Sequence, residues 1–125
     1  MQKTIILTQD QKQILIEHAK KTAPAESCAL LFGHEKSGTS TVKEVFLTQN
    51  TEDSPMNFTI SNEELLSGYR DAEKNGLEVI GIFHSHPHSE AAPSSTDKKF
   101  MTINPVVWMI FSNKENQLNA FVLES

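Results

Sequence analysis

The stretch LEVIGIFHSHPHSEAAPSSTD, Leu77 to Asp97, decides how this chain folds, because strand, loop and helix signals follow one another within it. Leu77 to His86 reads as a strand. Alternation of side chains across a pleat predicts Val79, Gly81 and Phe83 on one face, and Ile80, Ile82, His84 and His86 on the other. Pro87 has no N–H for a ladder and ends the strand. After a Pro/Ser-rich loop, Ser94 with Asp97 three residues later marks a helix start, continuing through Phe100 and Met101 to about Ile103.

Working outward, the same signals recur. Upstream, Ser61 with Glu64 opens a helix whose Leu65, Leu66, Tyr69, Ala72 and Glu73 share a face, and Gly76 stops it. TVKEVFLT, Thr41 to Thr48, alternates as a half-buried strand, and polar HEKSGTS before it reads as an exposed turn. ESCALLFG, Glu26 to Gly33, is apolar on both faces after its first residues, as expected of a central strand covered on both sides. Nearer the N-terminus, Thr4 to Leu7 is a short strand, and Thr8 with Gln11 caps a helix that runs to about Ala23 and ends at Pro24. Ile14, Leu15, His18, Ala19 and Thr22 form its inward stripe. Downstream, VVWMIFS and QLNAFVLE flank the polar turn NKEN as a hairpin. The sum is an α/β chain: one domain over residues 1–125, with a mixed sheet flanked by helices.

Composition excludes several function classes. With 16 acidic against 11 basic residues the formal charge is -5. Arg70 is the only arginine, and no lysine stripe is available to track a phosphate backbone, so nucleic acid is not an expected partner. Cys28 stands alone and cannot form an internal disulfide, and the N-terminus has no charged leader followed by an apolar segment. The longest wholly apolar run, Val106 to Phe111, falls far short of the ~20 residues a bilayer-spanning helix needs. The expectation is a soluble protein of the cytoplasm.

The chemistry concentrates at the end of the opening stretch. His84 and His86 project to the same face one pleat apart and can reach a common point, where a metal ion could sit. Asp97, in the first turn of the following helix, reads as a third ligand or as a plain capping acid paired with Ser94, and the two roles are compatible, since Ser94 can cap while Asp97 ligates. Two neutral imidazoles and one carboxylate leave a tetrahedral zinc one open position for water, as in catalytic sites. Glu26, at the entrance of the apolar strand, is the candidate base if burial raises its pKa, and a solvent-facing strand-end acid if it does not. Ser94 and Ser95 read as cap residues, either of which could donate to an oxyanion. His88 lies past Pro87 and reads as a rim residue. His18 and His34 read as helix-face and turn residues, and Cys28 as a small core hydrophobe.

Taken together, His84-Ser85-His86-Pro87, the loop, Ser94-x-x-Asp97, and Glu26 upstream in ESCALLFG resemble the JAMM motif of the MPN-plus metalloproteases. The resemblance runs from the first helix to the last hairpin. It implies a curved mixed sheet with helices packed on it, related to the cytidine deaminase architecture. It also implies Zn2+ held by His84, His86 and Asp97, Glu26 as general acid and base, and Ser94 stabilising a tetrahedral intermediate. Members typically cleave the bond that follows the C-terminal glycine of ubiquitin or a ubiquitin-like protein. Ala29 stands where many members have glycine, and the segment from Asp97 to the hairpin has no room for the second insertion of eukaryotic deubiquitinases. The chain is therefore more similar to the minimal archaeal and bacterial forms, which act on ubiquitin-like modifiers or sulfur-carrier proteins. Two other readings compete with this one. A metal-free MPN scaffold typically lacks ligand positions that are kept here, and a nucleoside deaminase of related fold needs thiolates that one cysteine cannot supply.

Overall fold

The computed structural model describes residues 4–123. The ends of the expected 1–125 domain, including Glu124 of the second hairpin strand, lie outside the described residues. The element order is β1 (Thr4–Ile6), α1 (Gln9–Thr22), β2 (Cys28–Lys36), β3 (Thr39–Thr48), α2 (Asn62–Lys74), β4 (Glu78–His86), α3 (Ser95–Ile103), β5 (Val107–Ser112) and β6 (Gln117–Phe121). The strands form one six-stranded mixed sheet in the order β1-β3-β2-β4-β5-β6. β1 runs parallel to β3 and β4 parallel to β5, and the other pairs are antiparallel.

The expected helix starts are present because they rest on local hydrogen bonds. Thr8 and Gln11 make a reciprocal capping box, as do Ser94 and Asp97. At α2 only half of the box forms. The Ser61 side chain accepts from the Glu64 N–H, while the Glu64 carboxylate turns instead to the N–H of Gln49, tying α2 to the end of β3. Gly76, at a φ of 70°, ends that helix in a conformation an L side chain would resist.

Two apolar clusters sandwich the sheet. Leu15 and Ala19 of α1 pack with Ala29, Leu31, Phe83 and Met109 on one face, and Ala72 of α2 packs with Leu30 and Phe32 on the other. β2 is thus covered on both sides, as its unbroken apolar run requires. The helix stripes differ in detail from expectation. Ile14 is exposed, with Ile16 packed inward in its place, and Leu66, Tyr69 and Glu73 of α2 face outward while Gly68 is buried. A Cβ at Gly68 would meet Leu30 Cδ1 at 2.8 Å, so a larger residue there would require the end of the Leu30 side chain to shift.

Three further expectations are corrected. The polar residues His34, Glu35 and Lys36 form no turn. They extend β2, pairing with Thr41, Ser40 and Thr39, and only Ser37 and Gly38 turn the chain. Strand ends that project beyond the covering helices are wet on both faces, so polar side chains suit them. Glu26 lies just before β2 and not within it. On β4, Ile80 does not share a face with Ile82. The β2–β4 register slips so that Leu31 opposes Gly81 and Phe32 opposes Val79, leaving Ile80 as the extra residue of a bulge. Ile80 therefore packs with Phe83, and Val79 with Ile82. Among the described residues no helix is long and apolar enough to cross a membrane.

Candidate functional site

Beyond the bulge the alternation of β4 is regular, and it carries His84 and His86 onto the α2 face of the sheet. The loop after Pro87 returns the chain so that the first turn of α3 lies over them. His84 Nε2, His86 Nε2 and Asp97 Oδ2 form a nearly equilateral triangle with all three edges at 3.1 Å. All three residues are buried. They are the group of metal-capable side chains that converges among the described residues.

The loop is strapped down on its far side. Ser112 Oγ donates to Ser89 O, Ala91 N–H donates to Glu115, and Asn119 Nδ2 donates to Ala91 O, all from the β5–β6 hairpin. One consequence is a fixed Glu90 carbonyl 2.8 Å from His86 Nδ1. A carbonyl oxygen only accepts, so the ring proton of neutral His86 sits on Nδ1 and its Nε2 lone pair points into the triangle. A lone pair facing a carboxylate oxygen and a second imidazole nitrogen at 3.1 Å is repulsive unless a proton or a cation lies between them. The spacing is close to the roughly 3.3 Å edge of a tetrahedron with zinc bonds of about 2.0–2.1 Å. Donor types, tautomer and spacing therefore all fit a divalent metal.

The electrostatics agree with this crowding. Burial holds His84 below its ordinary value, more than Asp97 can offset. For His86, burial pulls down, but Asp97 and the Glu90 carbonyl outweigh it and the net shift is upward. Burial also works against ionising Asp97, yet the two imidazoles and the Ser94 N–H keep its carboxyl well below the usual carboxylate range. Phe58 stacks on the His84 ring at 4.8 Å, and Trp108 meets it edge-on at 5.7 Å, so the ring's orientation is fixed by packing while its Nδ1 has no partner.

Glu26 comes from the other side. It is only 4% exposed, and its Oε1 is buried with no hydrogen-bond partner. Burial pushes its carboxyl up to about 8, against the pull of His86 and with small upward contributions from Asp97 and Glu52. Two neighbours set its position. Ser27, next in sequence, is locked to Ser85 of β4: Ser27 N–H and Oγ–H both reach Ser85 Oγ, at 2.8 and 2.9 Å, and Ser85 N–H returns to Ser27 O at 3.1 Å. Asn50 is a second tie. Its Nδ2 donates to Glu26 O and Asn57 O, and its Oδ1 accepts from the N–H groups of Glu52 and Thr59.

Of the residues singled out in the sequence, His84, His86 and Asp97 meet at one point, and Glu26 lies close enough to feel the charges of His86 and Asp97. Ser94 caps α3 through Oγ, and its N–H donates to Asp97 Oδ2 at 2.9 Å. His88 is exposed at the rim, and His34 is an exposed strand residue. His18 bonds the carbonyls of Cys28 and Thr48, away from the triangle. Cys28 is buried, its thiol pushed up to about 11 by burial, which suits a core residue and not a nucleophile. Ser85, Asn50, Phe58 and Trp108 were not foreseen. Ser85 carried a signal, since it stands between two ligand-type histidines and must point to the opposite face of β4.

Comparison with known proteins places these features in context. The profile described as prokaryotic homologs of the JAB domain matches residues 8–124. The chain is 33% identical to the desampylase of Pyrococcus furiosus over 120 residues, spanning 96% of this chain and 81% of that protein. It is 28% identical to the CysO-cysteine peptidase of Mycobacterium tuberculosis over 111 residues, spanning 89% and 75%. Among solved structures, a protein from Desulfitobacterium hafniense superposes with a TM-score of 0.84 at 31% identity, covering 98% of this chain and 84% of that one.

Proposed function

Because the chain belongs to the family of prokaryotic JAB-domain homologues, the JAMM/MPN metalloprotease family, we propose that it is a zinc-dependent isopeptidase that removes ubiquitin-like modifiers by hydrolysing the bond after their C-terminal glycine. His84, His86 and Asp97 would hold the ion, Glu26 would be the proton carrier, and Ser94 the donor to the developing oxyanion, all within one domain. The observation that carries the reading is the His86 tautomer: a backbone carbonyl forces a lone pair into a buried triangle that only a proton or a cation can relieve. Bound there, zinc would polarise the scissile carbonyl and acidify an attacking water.

The chain's own residues supply the rest. Glu26, its carboxyl raised to about 8 by burial in the metal-free chain and drawn back down by a cation beside it, would exchange its proton near neutral pH. That suits a group which must take a proton from water and then deliver it to the departing amine. Ser94 Oγ spends an acceptor site on the Asp97 N–H and keeps its own proton to donate. Because the attacking group is water and Glu26 only carries its proton, no covalent enzyme intermediate is required. The proposal includes a cytoplasmic location, for which the unpaired Cys28 speaks.

A second reading keeps the chemistry and changes the leaving group. The similarity to a CysO-cysteine peptidase favours release of a single amino acid from the C-terminus of a sulfur-carrier protein. The decisive experiment offers the zinc-loaded protein both a modifier–lysine conjugate and an aminoacylated carrier and follows product mass, with Glu26→Gln and chelator as controls. The expected result is cleavage after the terminal glycine, abolished by either control, with zinc retained in the Glu26→Gln protein. Full turnover by that variant, or hydrolysis of neither substrate, would overturn the assignment.

A further inference from the structure

The three proposed zinc ligands are not supported alike. His86 is held through Nδ1 by the Glu90 carbonyl at 2.8 Å, and Asp97 through Oδ2 by the Ser94 N–H at 2.9 Å. His84 has no such tie: its Nδ1 is buried without a hydrogen-bond partner. A ligating imidazole is ordinarily fixed by a bond to its second nitrogen, which sets both the tautomer and the rotation of the ring. At His84 that task falls to packing.

Two rings perform it. Trp108 meets the imidazole edge-on, with centroids 5.7 Å apart and planes at 82°, and Phe58 lies face to face with it at 4.8 Å and 24°. Trp108 belongs to β5, pairs with Ile82 of β4, and donates from Nε1 to Asn104 O at the end of α3. Phe58 comes from a loop, yet the backbone on either side of it is anchored. Buried Asn50 donates from Nδ2 to Asn57 O at 2.9 Å and accepts at Oδ1 from the Thr59 N–H at 3.1 Å. The Thr51 N–H and hydroxyl both donate to Thr59 O, at 3.0 and 3.1 Å. A loop pinned on both sides of one residue presents that side chain in a fixed place. Asn50 also holds the Glu26 carbonyl, so the Phe58 ring and the proton carrier are registered to one amide.

We infer that Phe58 is a positioning residue for the zinc site: its ring face holds the His84 imidazole in the ligating orientation and favours the metal-bound state over the free one. The inference rests on the zinc reading of the triangle. Its chemistry is specific to an aromatic face. An imidazole that shares its Nε2 lone pair with a cation becomes electron-poor, and the negative face of a parallel benzene ring attracts it, as it attracts a cation. An aliphatic side chain of similar size fills the space without that attraction.

The test measures zinc affinity by competition with a chromophoric chelator. It compares the parent, the ring-free variants Phe58→Leu and Phe58→Ile, and Phe58→Tyr, which keeps the face. Phe58 is only part-buried, and its loop is held by backbone bonds that none of these changes touches, so the variants should fold. Urea unfolding in excess chelator verifies that they do. The ring-free variants should bind zinc on the order of tenfold more weakly, the lower end of what losing a ligand's supporting partner costs, while Phe58→Tyr stays within about twofold of the parent. A purely structural role would lower the urea midpoint and leave the affinity of the folded protein unchanged. Parent-like affinity in a folded ring-free variant, a loss in Phe58→Tyr equal to that in Phe58→Leu, or failure of both ring-free variants to fold overturns the inference and leaves the zinc site standing. Failure of the parent itself to bind zinc overturns the zinc reading and this inference with it.

Discussion

Glu26 should cost the metal-depleted protein stability, and Glu26→Gln should recover it in a pH-dependent way. The carboxyl has an ordinary value of 4.5 and is raised to about 8 in the fold, chiefly by burial. Between those values the unfolded chain has released the proton while the folded chain still holds it. The native state binds more protons, so stability falls as pH rises through this window, by about 1.4 kcal/mol per unit, and levels off above pH 8. At pH 7 the accumulated penalty is about 3 kcal/mol, a large fraction of a small domain's margin. Glutamine is nearly isosteric and never ionises. Whatever its amide loses or gains in a pocket where Oε1 finds no partner is a constant offset, so the diagnostic is the slope. Urea unfolding of both proteins in excess chelator at pH 5, 6, 7 and 8 measures it. The variant's advantage should grow steadily from pH 5 to pH 8, because burial is the largest influence on Glu26 and its charge is the smallest of the influences on His86. Saturating zinc should narrow the gap, since a nearby cation favours the ionised carboxylate. A difference that is flat with pH, or that shrinks as pH rises, would refute the claim that burial governs this group.

Other perturbations separate the parts of the site. His86→Ala and Asp97→Ala should each reduce bound zinc from one per chain to near none by elemental analysis of dialysed protein, and chelation of the parent should abolish hydrolysis until zinc is restored. Ser85→Ala removes the acceptor of the buried Ser27 N–H and should cost about 1–3 kcal/mol in urea unfolding, with zinc retained and kcat reduced. A variant as stable and active as the parent would show that the Ser27–Ser85 lock does not position Glu26. Asn50→Asp keeps the acceptor for the Glu52 and Thr59 N–H groups but loses the donor to the Glu26 and Asn57 carbonyls, so kcat should fall without loss of zinc. Equal kcat in that variant would remove Asn50 from the positioning frame.

What could be read from the sequence is what local chemistry determines. Thr8 with Gln11 and Ser94 with Asp97 announce helix starts because the partners sit three residues apart in any context. The pairing of His84 with His86 on one face holds because alternation needs only a regular strand. The same rule fails four residues earlier at Ile80, where the bulge is imposed by the register of β2, a partner distant in sequence. His34 to Lys36 depart from expectation for a related reason: their polarity is that of a turn, and only pairing with Thr39 to Thr41 makes them strand. Asn50 and Glu52 sit in a polar loop indistinguishable from any other until the fold brings Glu26 and Thr59 to them.

The geometry of Asp97 accommodates both roles read from the sequence, helix cap and proposed metal ligand. The oxygen that accepts the Ser94 N–H at 2.9 Å is the same Oδ2 that stands 3.1 Å from both histidines. Capping fixes the carboxylate's rotamer without drawing its charge out of the buried triangle, and against the cost of burial the two imidazoles, with a smaller contribution from the Ser94 N–H, keep it ionised. A capping box is a common local device, and here it pre-orients the proposed ligand at the end of a strapped loop. That explains why a carboxylate eleven residues from His86 in sequence meets both histidines of the strand at the same 3.1 Å. It also explains why Ser94→Ala, which keeps the backbone N–H that holds Oδ2, should loosen the carboxylate little and leave zinc binding near one per chain by elemental analysis.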